Sequence, residues 1–370
     1  MAQTADVVVV GGGVIGCAIA YELAKCGLGV TLVERGTPGC EASSAGAGML
    51  APQAESSAPS PMLTLGLASK ALYADLAAEL RERTGLDIEY ETGGNLHCFL
   101  DEGDEAVGRE AYAWQREAGL KAELLGPGET LALEPDLSHE VRGALLLPED
   151  HWVNNPRLVT ALANAAALKR VAFVRGEVSA ILRTGDRITG VRVGDEVIRA
   201  GTVVLAAGAW SGQLAATAGL NLPVRPVRGQ IVCLEGIPRR QHHLLHVKDR
   251  YLVPRVNGEI LVGASMEWVG FTKQVTAEHT RASLDFAVRL VPALGRAPIK
   301  ATWAGFRPWA PDERPIIGPW PGLEGLVVAT GHFRNGILLS PITARVIREL
   351  IVDRAPSLDL TPFLPDRFVR

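Results

Sequence analysis

Short apolar runs alternate with longer stretches of helical period along this chain. Residues 6–10 form a β-branched apolar run, glycines follow, and an apolar helical pattern then reaches Cys26. A second apolar run, 30–33, ends in Glu34. The order predicted is strand, turn, helix, strand. Residues 43–49 carry very small side chains, and 51–61 read as a loop or exposed connection. One helix is predicted over 63–84, ending before Gly85. Residues 86–100 read as strand and turn around Gly93 and Gly94, and 106–118 as a charged helix. Asn155 is expected to cap a helix that has Pro156 at its first position and runs through Leu168. Four short runs, 171–174, 178–183, 188–193 and 196–200, predict a β-meander.

Two runs are apolar throughout. Residues 202–206 end in Ala207-Gly208-Ala209-Trp210-Ser211. Residues 326–329 end in a glycine-bearing turn, 331–336, and then an apolar helix, 337–352, that contains Pro341. Strands apolar on both faces belong inside a parallel sheet. Runs at 227–234, 251–256 and 260–264 read as antiparallel strands, and 282–290 as a helix. The fold class predicted is therefore α/β. A discontinuous Rossmann-like nucleotide domain (1–88, 150–222, 307–370) carries an inserted antiparallel-sheet substrate domain (89–149, 223–306).

Composition narrows the function classes. The chain has 370 residues, more than one ordinary core, and is 47% apolar and 21% charged. A net charge of −4 gives no basic excess for nucleic acid. No apolar run is long enough for a membrane span, and residues 1–5 lack the basic start of a signal peptide, so a cytoplasmic protein is expected. Five scattered cysteines without a C-x-x-C argue against disulfides and structural zinc. His242, His243 and His246 lack a completing ligand and read as an exposed polar loop, so no metal site is expected. The charges at 102–117 read as a solvated helix face.

The chemistry starts at Gly11, Gly13 and Gly16, in G-x-G-x-x-G spacing between a strand and a helix. The first glycine permits a tight turn, the second lets a pyrophosphate approach, and the third lets helix and sheet close up. The helix N-terminus offers N–H groups to the phosphates. Glu34 is placed to accept from ribose hydroxyls and would repel a 2′-phosphate. The spacing alone leaves FAD and NAD open. The small residues 43–49 are read as backbone closing over the cofactor, and Gly208 ends a strand where an α/β sheet meets its ligand. A second fingerprint, needed to take hydride from a nicotinamide, is absent. That points to a flavin reduced directly by substrate.

Several motifs in order, Ala47-Gly48-Met49-Leu50, Tyr251-Leu252-Val253-Pro254-Arg255, Trp303-Ala304-Gly305-Phe306-Arg307-Pro308 and Gly331-His332-Phe333-Arg334-Asn335-Gly336-Ile337, resemble the glycine oxidases of the D-amino-acid oxidase superfamily. The resemblance covers nearly the whole chain. It implies noncovalent FAD, a small amino-acid substrate, molecular oxygen, and hydrogen peroxide as by-product. It implies a homotetramer and a supply of imine for the thiazole of thiamine. Arg307 would bind the substrate carboxylate, a task suited to a planar, permanently charged fork. Tyr251 would donate to the same carboxylate, although a core tyrosine is an alternative reading. Arg334 would face substrate and flavin, and Met266 would line a small pocket. The cofactor contacts implied are Gly11, Gly13, Val14, Ile15, Gly16, Glu34, Arg35, Ala42, Ser43, Ala47, Gly48, Met49, Val178, Gly208, His332, Phe333, Arg334, Asn335, Gly336, Ile337 and Leu338. The reaction implied is hydride transfer from Cα, which needs no base on carbon. The alternatives are a D-amino-acid or sarcosine-like dehydrogenase using a non-oxygen acceptor, and a flavin-binding module without turnover. Asp249 and Arg250 depart from relatives that carry His or other residues before the tyrosine.

Overall fold

The computed structural model describes residues 3–235, 242–353 and 355–369. Met1 and Ala2, part of the N-terminal stretch weighed as a leader, lie outside them. The first sheet runs in the order Ile316–Pro319, Leu326–Thr330, Glu196–Leu205, Gln3–Val10, Val30–Glu34, Ala172–Arg175. Its central pairings are parallel, and only Ile316–Pro319 joins this row antiparallel. The side-chain period of two sends alternate valines to opposite faces. Val7 and Val9 pack under the helices Val14–Lys25, Asn155–Leu168 and Gly336–Arg348, whereas Val8 and Val10 pack with Ile181, Val191 and Leu222. Burial on both faces explains why the runs are apolar throughout.

The second sheet has the order Ile299–Trp309, Arg225–Leu234, Ile260–Gly263, Arg250–Pro254, Leu244–Val247, Asn95–Cys98, Ala144–Leu147, Glu123–Leu125. It is antiparallel except where Leu244–Val247 meets Asn95–Cys98. Helix Ala277–Leu290 covers it through Ala287 and Leu290. The α/β class with an added antiparallel sheet is thus the observed fold.

Local expectations change in six places. The helix predicted over 63–84 is two, Pro61–Lys70 and Tyr73–Thr84. Tyr73 is fully buried and its hydroxyl reaches the Ile337 carbonyl, so tertiary packing overrides the local period. The first meander strand is instead the parallel edge Ala172–Arg175. The runs 196–200 and 202–206 form one strand, Glu196–Leu205, which pairs along its length with Gln3–Val10. Helix Asn155–Leu168 is capped by Asn154, whose Oδ1 accepts from the Arg157 N–H, not by Asn155. In the loop 51–61, Ala51 and Gln53 are buried. Finally, only His242 of the three histidines is exposed. His246 lies in the apolar strand Leu244–Val247, bonded to Asn95 and packed on His97, and the His243 ring meets Glu134. Among the described residues no cluster of metal-ligating side chains forms, and no helix is long and apolar enough to cross a membrane.

Candidate active site

A cavity of about 1180 Å³ opens at the carboxyl ends of the parallel strands and extends to the second sheet. Gly11, Gly13, Val14, Ile15, Glu34, Arg35, Ala42, Ser43, Ala47, Gly48, Met49, Val178, Gly208, His332, Phe333, Arg334, Gly336 and Ile337 all line it, as do Tyr251, Met266 and Arg307. Gly16, Asn335 and Leu338 do not. A Cβ on Gly16 would sit 1.9 Å from the Gly11 carbonyl oxygen, so this glycine fits helix to strand. Leu338 is buried in the core, with its carbonyl accepting from Ser69. Asn335 closes the turn onto the His332 carbonyl and leads the last helix.

The dinucleotide end follows from the glycine turn. Gly11 has φ +104°, and a Cβ there would meet the Ala206 carbonyl oxygen at 2.5 Å. A Cβ on Gly13 would meet only Ser43 Oγ, at 3.2 Å, which leaves its face to the cavity. Glu34 accepts from the N–H groups of Gly12 (2.7 Å) and Gly36 (2.8 Å). The Val14 N–H at the helix start donates to Ser43 Oγ at 2.9 Å, so this one orphan donor is already matched. The short helix Ala42–Ala45 is held from behind. Asn155 Nδ2 donates to the carbonyls of Ser43 (2.6 Å) and Gly46 (2.9 Å), and Asn155 Oδ1 accepts from Arg255 (2.7 Å). Trp210 adds a wall on which the Arg35 guanidinium lies, 3.9 Å from the ring centroid. Asn155 and Trp210 escaped the sequence reading; one looked like a cap and the other like a strand end.

At the opposite end two long side chains cross two glycines. Arg307 lies over Gly229, and Tyr251 over Gly263. Arg307 Nη1 donates to the Ser265 carbonyl at 2.9 Å. Burial pulls the Arg307 pKa down, and among the described residues no carboxylate is within salt-bridge reach of it. It remains a cation open to an anion. Burial raises the Tyr251 pKa against the opposing pull of Arg307, which keeps its proton available to donate. The Ser265 segment is fixed by Glu267, which takes hydrogen bonds from Ser265 Oγ (2.6 Å), Gln230 Nε2 (2.7 Å) and Arg228. Burial works against the charge on Glu267, yet those bonds lower its pKa to about 2.

Arg334 lines the cavity with its charge already matched. Its Nε and Nη2 meet the two oxygens of Glu55 at 2.9 and 3.0 Å, a fork-to-fork pair. Asp249 stands 4.0 Å from Nη1. The Glu55 charge raises the Arg334 pKa. The Glu55 loop is itself pinned, because Asp150 accepts from the N–H groups of Gln53 (3.1 Å) and Ala54 (2.9 Å). Phe333 supports Arg334 from a left-handed conformation, φ +47°, with its N–H on the Pro308 carbonyl. His332 lies against Thr343, and burial lowers its pKa to about 3, so it is neutral. Met266 lines the cavity and is 45% exposed, in the irregular segment after Ile260–Gly263.

An open glycine turn, a large lipped cavity and a cationic fork at its far end suit a bound dinucleotide and a small acid beside it. Comparison with known proteins agrees. Residues 6–350 match the family model DAO, FAD dependent oxidoreductase. The glycine oxidase of Geobacillus kaustophilus is 38% identical over 371 residues, covering all of this chain and 98% of that one. The bifunctional protein ThiO/ThiG of a Synechocystis species is 38% identical over 378 residues, covering all of this chain and 55% of that longer protein. The crystal structure of glycine oxidase from Geobacillus kaustophilus superposes with a TM-score of 0.96 at 38% identity, over the full length of both chains. This chain belongs to the DAO family of FAD-dependent oxidoreductases.

Proposed function

We propose that this enzyme oxidises glycine and other small amines, including D-amino acids, to the imine, which water converts to an oxo acid and ammonia. The observation that carries this reading is the unpaired Arg307 guanidinium beside the Tyr251 hydroxyl at the far end of the cavity. Noncovalently bound FAD would supply a two-electron hydride acceptor, with oxygen as the final acceptor and hydrogen peroxide as by-product. Gly11, Gly13 and the start of helix Val14–Lys25 would hold its pyrophosphate, and Glu34 its ribose. The start of helix Gly336–Arg348, whose Gly336 and Ile337 line the cavity, would offer its positive end to the ring.

Arg307 grips the substrate carboxylate and Tyr251 donates to it. The Cα–H is thereby held in one direction, and positioning replaces a carbon base. The amine binds neutral, and its lone pair assists departure of hydride from Cα. Residues 1–88, 150–222 and 307–370 form the cofactor domain in this reading, and the remainder the substrate domain. The likeness to ThiO/ThiG supports a role in supplying imine for thiazole synthesis. A cytoplasmic homotetramer is part of the same proposal, and light scattering tests the assembly.

Anaerobic titration of the holoenzyme with glycine, sarcosine and D-alanine tests the chemistry. Bleaching of the flavin by these amines, followed by stoichiometric peroxide on admitting oxygen, is the expected result. Bleaching with re-oxidation only by a quinone or dye would replace the oxidase with a dehydrogenase. A flavin that no amine bleaches would end the reading. Release of FAD on acid precipitation checks noncovalent binding.

A further inference from the structure

Of the arginines that line the cavity, Arg307 and Arg334 lie within electrostatic reach of each other at its far end, and of these two only Arg307 is open to an acid. Arg334 is closed by both oxygens of Glu55, and Asp249 adds a second carboxylate beside it. Asp249 stands at the mouth with 81% of its side chain exposed. The other lining cation nearby is occupied elsewhere: Arg250 donates to the Ala282 carbonyl and lies toward the Phe286 ring. Glu55, Asp249, Arg307 and Arg334 together balance to zero before a ligand enters. One carboxylate on Arg307 then leaves these four groups with an excess of negative charge, while Arg250 points its charge at the Ala282 carbonyl instead.

We propose that Glu55 and Asp249 form a charge filter, which cancels Arg334 and restricts the site to amines bearing a single carboxylate. An amine with a second acidic group meets a neutralised arginine and a rim carboxylate in place of a second clamp. The physics is ordinary like-charge repulsion. It is moderate at the exposed rim and screened by salt, and it is stronger at the half-buried pair. Glu55 is rigid enough for this task, because Asp150 fixes the two residues before it through their backbone. The filter deepens the proposed function and rests on Arg307 receiving an acid group.

The test uses an isosteric pair, succinamate and succinate, which differ in one charge. Both are titrated into oxidised holoenzyme and followed by the flavin absorbance shift and by calorimetry. D-asparagine and D-aspartate repeat the comparison in turnover. The wild type should bind succinamate at least tenfold more tightly than succinate, and the ratio should shrink as salt rises. Asp249→Asn should narrow the ratio severalfold, whereas Glu110→Gln, the same charge change on a remote exposed helix face, should leave it unmoved. Glu55→Gln should free Arg334 and favour succinate outright. If it fails to fold, Asp249→Asn decides alone. A wild-type ratio near one, a ratio insensitive to Asp249→Asn, or no binding of either acid overturns the filter. Intact discrimination in an enzyme that no amine reduces would leave the filter standing and overturn only the proposed reaction.

Discussion

The guanidinium of Arg307 occupies the space that a side chain at residue 229 would need. A Cβ on Gly229 would come within 2.3 Å of Nη1 and 2.6 Å of Cζ. The two residues are diagonal neighbours on paired strands, with Val227 registered against Arg307 and Gly229 against Gly305. Gly229→Ala should therefore displace the fork without touching the dinucleotide turn. The expected outcome is a rise in KM for glycine of about tenfold or more, the size of one weakened charged hydrogen-bond pair. FAD affinity, read by fluorescence on titrating apoprotein, should stay within about twofold. Equal loss of FAD binding would show that the glycine serves the fold instead.

Removing the fork itself separates clamp from chemistry. Arg307→Ala should cost amino acids about 100-fold or more in kcat/KM, since charged hydrogen bonds carry the binding. Amines that lack a carboxylate should lose far less. Steady-state kinetics with glycine and with a small alkylamine checks this, and equal losses on both would count against the clamp.

Four buried histidines set the acid limit of the fold. Burial lowers the pKa of His97 and His151 to about 4 and of His332 to about 3, and His246 also lies well below its ordinary value. Each is neutral when folded and takes up a proton on unfolding below the ordinary histidine value. Stability is thus fully present above that value and is lost as pH falls toward 4. Asp150 acts in the opposite sense. Burial raises its pKa to about 7, so it stays protonated in the fold where the unfolded chain would ionise, and it contributes more at low pH. Four groups against one decide the outcome. Denaturant melts of the holoenzyme should show stability falling between pH 6.5 and 4. His332→Asn should flatten part of that slope, and an unchanged slope in this variant would remove His332 from the account.

The parts legible in the sequence are those built from local pattern. The glycine turn, the strand ending at Glu34 and the doubly buried runs carry their geometry in their own residues, because a two-residue or 3.6-residue period fixes which side chains go inward. Positions that depend on distant partners stayed hidden. Gly229 and Gly263 looked like ordinary strand residues until Arg307 and Tyr251 were seen to cross them. Glu55 sits in a stretch of Ala, Ser and Pro that reads as a bare connection, and only the fold brings it to Arg334, 279 residues away. The break between Lys70 and Tyr73 likewise follows from a tyrosine seeking the last helix. No periodicity of its own segment records that.

Asn155 shows how a residue that resembles a helix cap can hold a cofactor loop. Its amide is fully buried and joins three elements: the carbonyls of Ser43 and Gly46, the helix it begins, and Arg255, which follows the strand Arg250–Pro254. Arg255 also donates to the Val153 carbonyl, so the guanidinium keeps one partner when the amide is lost. Asn155→Ala would strand two part-buried carbonyls and half of a buried cation. Each unmatched group costs about 1–3 kcal/mol, and partial repair by water makes a net loss of about 2–3 kcal/mol the expected result. The loosened segment is the one whose Ser43 Oγ receives the Val14 N–H at the head of the dinucleotide helix. FAD affinity should therefore fall by about tenfold or more, while kcat at saturating FAD changes little, because Arg307 and Tyr251 stand on other strands. Asn155→Asp keeps the acceptor for Arg255 but removes the donor to both carbonyls. It should recover stability through the ion pair and fail to recover FAD affinity. If instead the aspartate restores flavin binding, the loop is held by something other than that amide.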